Sequence, residues 1–336
     1  MLLRHLAAIV GGLALATSLA VPPVRAAATT TVFGVITSTQ GSPPDTLAEH
    51  VRLYEAHRAR YGGGPIGIRV FSPDAVPLPT DNDRAGRLLT WAADRHPDEM
   101  ITISHRDRGE ARLRTLLDWV QARKLRVTVM YRHEAQGDWF VRGLEGSRPD
   151  VYRAVYRSYR AVIDAHPARD RVTLEKNLLW WYQRYHATAQ SDWRHFVERD
   201  DPADLLSWDA YSFPGMPAGQ GHYATPDDFF RYARDAWKEF RLPWAVGEIG
   251  TIVQDGTGTG TERDWDRHGT RFTAWVRQVA DAVRDPASIG PSYAGMPAAR
   301  YLNWWGAVDA KDRDLSLEQV PAAVTYYRSL VRNTPA

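Results

Sequence analysis

Glu134 and Glu248 are the two residues of this chain around which chemistry is most readily built. Glu134 follows the apolar run Val127 to Tyr131, and Glu248 closes the run Trp244 to Ile249 inside A-V-G-E-I-G. β-Branched and other apolar residues dominate both runs, as expected of buried parallel strands. If those strands alternate with helices in a barrel, both carboxyls stand at C-terminal strand ends, the face where such barrels do their chemistry. Two carboxyls about 5 Å apart, one protonated and one ionised, are the equipment for retaining glycoside hydrolysis. One attacks the anomeric carbon; the other protonates the leaving oxygen and then activates water.

The pair needs elements to hold it, and the chain supplies them in alternation. Strands are expected at Thr31 to Ile36, Gly67 to Phe71, Met100 to Ser104, Val127 to Tyr131, Asn177 to Tyr182, Leu205 to Asp209, Trp244 to Ile249 and Tyr301 to Trp305. Helices are expected between them. Leu113, Leu116, Leu117 and Val120 fall at i, i+3, i+4, i+7, the stripe an outer barrel helix requires. Pro149 opens another helix, with Tyr152, Val155, Tyr156, Tyr159, Val162 and Ile163 on one face. Phe272, Trp275, Val276, Val279 and Val283 form a third such stripe. Gly62 to Pro65 ends the first helix. The polar stretch Arg184 to Asp204 reads as a lid or wall over the site, and Gly256 to Thr261 as a mobile segment. Eight strand-helix alternations predict a single (β/α)8 barrel over residues 27–336, with strands four and seven on opposite sides of its mouth.

Composition narrows the function. At 336 residues and 44% hydrophobic content the chain can bury a large core. Arg4 and His5, the apolar run Leu6 to Val21 and the small-residue site ending at Ala26 predict a secretory signal peptide over residues 1–26. The mature protein is expected to be extracellular, monomeric and free of a membrane anchor. Residues 1–26 hold two arginines and no acid, so 40 basic and 40 acidic residues remain. That balance supports no nucleic-acid partner and no anionic membrane surface. The absence of cysteine excludes zinc-thiolate sites, disulfides and thiol nucleophiles. No H-E-x-x-H is present, so neither a metal nor any other cofactor is implied. Thirteen tryptophans suit a protein that presents flat aromatic faces to sugar rings.

Around these positions the sequence resembles glycoside hydrolase family 26. His133-Glu134-Ala135-Gln136-Gly137-Asp138-Trp139-Phe140 is similar to that family's H-E-M-N-G-x-W-F. Asp209-Ala210-Tyr211, Gly247-Glu248-Ile249-Gly250 and Asn303-Trp304-Trp305 fit it in order. The resemblance implies Glu134 as acid/base, Glu248 as nucleophile and His133 as the neighbour that orients them. It also implies Tyr211 as a hydrogen-bond partner of Glu248, Asp209 among the substrate-binding residues, and Trp139 with one of Trp304 or Trp305 against the sugar. The implied partner is a β-linked polysaccharide. β-1,4-Mannan comes first, with β-1,3-xylan and mixed-linkage β-glucan behind it. Met130 stands four residues before Glu134 where the family carries arginine, and Arg132 lies two before it.

A second reading keeps the aromatic rim and treats the barrel as a non-catalytic carbohydrate-binding module. His105 and Arg106 are expected to line distal subsites, as are Tyr185 and His186. Trp180 and Trp181 are expected to alternate between barrel interior and helix layer, and Glu175 and Asp170 to be surface caps. Gly256 to Gly260 lacks the completing residues of a phosphate loop.

Overall fold

The computed structural model describes residues 31–38, 46–63, 67–71, 84–96, 100–106, 108–189, 191–212, 223–253, 266, 268–306 and 315–332. The signal-peptide segment and the Gly256 to Thr261 stretch lie outside these. The strands are β1 Val32–Ser38, β2 Gly67–Phe71, β3 Met100–His105, β4 Val127–Tyr131, β5 Val172–Leu179, β6 Leu205–Ser212, β7 Trp244–Thr251 and β8 Tyr301–Trp305. Each pairs in parallel with the next, and β8 returns to β1, which closes a (β/α)8 barrel.

The helices are α1 Leu47–Arg60, α2 Arg84–Arg95, α3 Glu110–Arg123, α4 Ala135–Arg142, α5 Pro149–Asp164, α6 Trp180–Tyr185, α7 Pro226–Phe240, α8 Thr270–Arg284 and α9 Pro321–Arg332. Their termini are chemically marked. Thr225 and Asp228 form a capping box ahead of α7, whose first residue is Pro226, and Lys124 closes α3 in the left-handed region at φ 54°. The main core lies between sheet and helices. Ile68, Ile103, Val129, Leu174, Trp208 and Val246 point outward into it, against faces such as Leu113, Leu116, Leu117 and Val120 of α3. The period of two along a strand then sends the alternate residues into the barrel.

Strand five corrects the sequence expectation. It begins at Val172, five residues before Asn177, and Trp180 to Tyr182 belong to a helix. The charges in V-T-L-E-K-N-L-L made this stretch look like surface, but both are buried. Lys176 points outward, where Asp201 accepts from its Nζ at 2.5 Å and the rings of Tyr152 and Tyr156 flank it. Glu175 points inward and is fully buried, so it is no surface cap; Asp170 is exposed.

The connection after α6 is a wall on the outside of the barrel. Trp193 packs on Trp208 and Phe240, and Phe196 on Phe140 and Tyr152. At the opposite end from Glu248, a cavity of about 510 Å³ opens among the N-terminal strand ends, lined by Val32, Met100, Thr128, Tyr301 and Asn303.

Candidate active site

Glu134 does not simply follow β4; a tight turn presents it. Arg132 and Glu134 both have positive φ, 50° and 52°, a conformation unusual for residues with a Cβ. Hydrogen bonds to β3 and β5 hold that turn from both sides. The Arg132 amide donates to the His105 carbonyl at 3.0 Å, the His133 amide to Ser104 Oγ at 3.3 Å, and the Glu134 amide to Asn177 Oδ1 at 3.2 Å. Glu134 is then the N-cap of α4. Strain held in place by neighbouring strands is characteristic of functional sites.

Glu248 reaches the site by a different device. The register between β6 and β7 shifts at Trp208/Asp209, and the shift sets Asp209 beside Glu248. Gly247 permits the close approach: a Cβ there would lie 2.5 Å from Asp209 Oδ1 and 2.6 Å from Asn177 Nδ2.

One cation serves this floor. Arg69 of β2, 2% exposed, donates through Nη1 to Glu248 Oε1 at 2.5 Å and lies 3.3 Å from Asp209 Oδ2. Burial works against its charge, but Asp209, Glu248 and Glu175 outweigh that and hold it cationic. Tyr211 donates its hydroxyl to Glu248 Oε2. Asn177 donates to Asp209 Oδ1 at 2.7 Å and to Ser207 Oγ at 2.9 Å.

The two glutamates therefore differ in electrostatic setting. Burial lifts the Glu248 carboxyl to about 7, with Arg69 and Tyr211 opposing the rise and Asp209 adding to it. Glu134 is pushed well above the usual carboxylate range by burial and then by the charges of Asp209 and Glu248. Among the described residues no side chain hydrogen-bonds the Glu134 carboxyl. Glu134 therefore holds its proton to higher pH than Glu248 does, the order of proton affinities an acid and a nucleophile require. His133 lies 3.0 Å from Ser104 Oγ through Nδ1. Burial and the nearby arginines hold it well below its ordinary pKa, so it stays neutral.

The structure separates the remaining sequence candidates. Trp304 points away from the mouth: its indole donates to the Leu315 carbonyl at 2.9 Å, and its ring meets Phe272, Trp275 and Tyr327 edge-on in the helix layer. Trp305, the next residue, packs with Ile36 and Leu315 on the side of Tyr211. Of the two, only Trp305 is on the side of the carboxylates. His105 also faces outward, fully buried with Nδ1 2.7 Å from the Tyr159 hydroxyl, and lines no subsite. Trp139 is half-buried on α4, its ring 6.3 Å from Phe140, which stacks on Tyr182. Trp180 is outward, donating to the Asp228 carbonyl at 2.6 Å, so it does not enter the barrel. Trp181 is half-buried on α6 with its ring 4.5 Å from that of His186.

Sequence reasoning missed Arg69, Asn177, Ser207 and Tyr301. Arg69 carried a signal: a lone guanidinium in the middle of G-I-R-V-F has to find a buried anion. Among the described residues, no cluster of three or more His, Asp or Glu side chains could hold a metal ion.

Glu175 is the fourth carboxyl of this interior. Burial raises it to about 7, while the hydroxyls of Ser207 and Tyr301 oppose the rise. A folded-state pKa above the unfolded value near 4.5 means no penalty below about pH 4.5 and a growing one as pH rises through about 7. Glu175→Gln is expected to stabilise the protein at pH 8 by up to about 3 kcal/mol and to do little at pH 4. Urea unfolding at the two pH values measures this, and an equal change at both would refute the linkage.

No protein-family model matches the chain, and no curated protein does. Solved structures do resemble it. A β-glucosidase from Exiguobacterium marinum is 14% identical at a TM-score of 0.54, over 92% of this chain and 99% of that one. The family 1 β-glucosidase from Thermotoga maritima is 12% identical at 0.56, over 91% and 98%. An endo-β-1,4-mannanase double mutant from Cellulomonas fimi is 16% identical at 0.54, over 90% and 70%. At these identities the likeness is one of fold.

Proposed function

We propose that this protein is a retaining β-glycosidase, exported by way of residues 1–26, that cleaves a β-linked polysaccharide and most readily β-1,4-mannan. One observation carries the reading: two carboxyls share the mouth of a (β/α)8 barrel in unequal settings, Glu248 buried and clasped by Arg69 and Tyr211, and Glu134 half-buried with no side chain hydrogen-bonded to its carboxyl among the described residues. The fold shared with two β-glucosidases and a mannanase supports it. The match to the family 26 motifs at His133-Glu134, Tyr211 and Glu248 supports the mannan assignment.

Each group then has a task. Glu248 attacks the anomeric carbon, and the bond to the leaving oxygen breaks as Glu134 gives that oxygen its proton. Tyr211 and Arg69 keep the attacking carboxylate ionised and in line. In the second half Glu134 takes a proton from water, the hydroxide adds to the anomeric carbon, and the ester to Glu248 opens. Trp305 and Trp139 offer apolar faces to the sugar on either side. The neutral His133, fixed by Ser104, holds the turn that aims Glu134.

The test is reducing-end release by residues 27–336 on soluble β-mannan, β-xylans and β-glucans, with Glu248→Ala as control. Release from mannan that disappears in the variant is the expected result. Cleavage of no polymer, together with retardation of the protein by one of them in an affinity gel, would transfer the reading to a binding barrel.

A further inference from the structure

Glu175 lies beneath the catalytic carboxyls and takes no part in the steps just described. The interior layers of such barrels are ordinarily filled by branched apolar side chains. Here a fully buried carboxyl occupies one of those places. Its oxygens accept from two strands: Ser207 Oγ of β6 on Oε1, and the Tyr301 hydroxyl of β8 on Oε2 at 2.5 Å. Ser207 in turn accepts from Asn177 Nδ2 at 2.9 Å, and the same nitrogen donates to Asp209 Oδ1 at 2.7 Å. The other end of the Asn177 amide accepts the Glu134 N–H at 3.2 Å. Arg69 then joins Asp209 to Glu248. A continuous hydrogen-bonded string thus links Glu175 to the side chain of Glu248 and to the backbone of Glu134.

The charged groups facing Glu175 are few. Among the described residues they are Arg69 from β2 and Asp209 from β6. Tyr301 faces it as a neutral phenol, β4 contributes the non-ionising Met130 in the paired position, and Lys176 points the other way to Asp201. Three carboxyls therefore draw on one guanidinium.

We propose that Glu175 is a positioning residue for the glycosidase pair: through Ser207, Asn177 and Asp209, its charge state decides how much of the Arg69 charge is left for Glu248. The assignment rests on the glycosidase reading for the role of Glu248. With Glu175 neutral, Arg69 is divided between Asp209 and Glu248, and Glu248 ionises readily. With Glu175 ionised, the same charge is divided three ways, and Glu248 keeps its proton to higher pH.

Two readouts test this. In kcat/KM against pH on the cleaved glycan, Glu175→Gln is expected to move the acid limb down by about half to one pH unit, the size of one screened buried charge. Tyr301→Phe, which makes the Glu175 carboxylate harder to form, is expected to move it the same way by less, and serves if Glu175→Gln does not fold. A lower rate with an unmoved limb overturns the proposal. The second readout needs no turnover: urea midpoints of wild type, Glu175→Gln, Glu248→Gln and the double variant at pH 5 and pH 8. The two stabilising effects should be sub-additive at pH 8, where both carboxyls ionise, and additive at pH 5. Equal coupling at both values reduces Glu175 to packing and overturns the proposal. A wild type that cleaves no β-glycan or aryl β-glycoside instead removes the glycosidase reading, and the cycle still decides whether the two carboxyls are coupled.

Discussion

Glu134→Ala is expected to lose polysaccharide cleavage by about 10²- to 10⁴-fold while still forming a glycosyl-enzyme from aryl β-glycosides with good leaving groups. The asymmetry follows from the geometry. Glu134 supplies a proton that a poor leaving group needs and a nitrophenolate does not, whereas the clasped Glu248 supplies the bond itself. In Glu134→Ala the second half-reaction lacks its base, so a burst of released phenol should precede slow turnover. Azide, which needs no base, should restore turnover and give a glycosyl azide of retained configuration. Glu248→Ala should show no burst and a loss of roughly 10⁴- to 10⁶-fold, as when a nucleophile is removed outright. Stopped-flow release of nitrophenolate with and without azide separates the two variants. Identical behaviour of both would mean that the assignments of acid/base and nucleophile are wrong.

The second large effect is expected at Arg69, the residue that makes two buried carboxyls on adjacent strands tolerable. Arg69→Met fills similar space without charge and leaves Asp209 and Glu248 facing each other across the β6/β7 register shift. Removing one side of a buried ion pair costs about 3–5 kcal/mol because the other side remains buried and uncompensated. The sign with pH is determined. Without Arg69 the Glu248 carboxyl rises further above about 7, so the loss should be greatest at pH 8 and shrink toward pH 5 as both carboxyls take up protons. The acid limb of activity should move up, opposite to the shift expected for Glu175→Gln. Arg69→Lys should rescue little, since a buried ammonium is more strongly hydrated than a guanidinium, costs more to desolvate and gives up its proton more readily. Denaturant unfolding at pH 5 and 8, together with the pH profile, checks both parts. A pH-independent loss would assign Arg69 to packing alone.

How far the chain could be read without coordinates depended on whether a residue's setting is local. The strand-helix alternation and the buried faces of α3, α5 and α8 were legible, because each arises from apolar periodicity within a dozen residues. The same is true of the barrel fold and of the placement of Glu134 just after β4 and of Glu248 on β7. Strand five was misplaced because Glu175 and Lys176 are charges whose partners, Ser207, Tyr301 and Asp201, lie 25 or more residues away. His105 was expected at the mouth and faces the helices, and of Trp304 and Trp305, between which the sequence left the choice open, Trp305 takes the inward place. Alternation states that neighbours point to opposite sides, and only pairing with the next strand states which side is which. The left-handed turn at Arg132 to Glu134, the register shift that brings Asp209 to Glu248, and the sharing of Arg69 among carboxyls from β5, β6 and β7 were decided by the closed sheet. A barrel brings together side chains from strands far apart in sequence, and the proton affinities of this site are a property of that gathering.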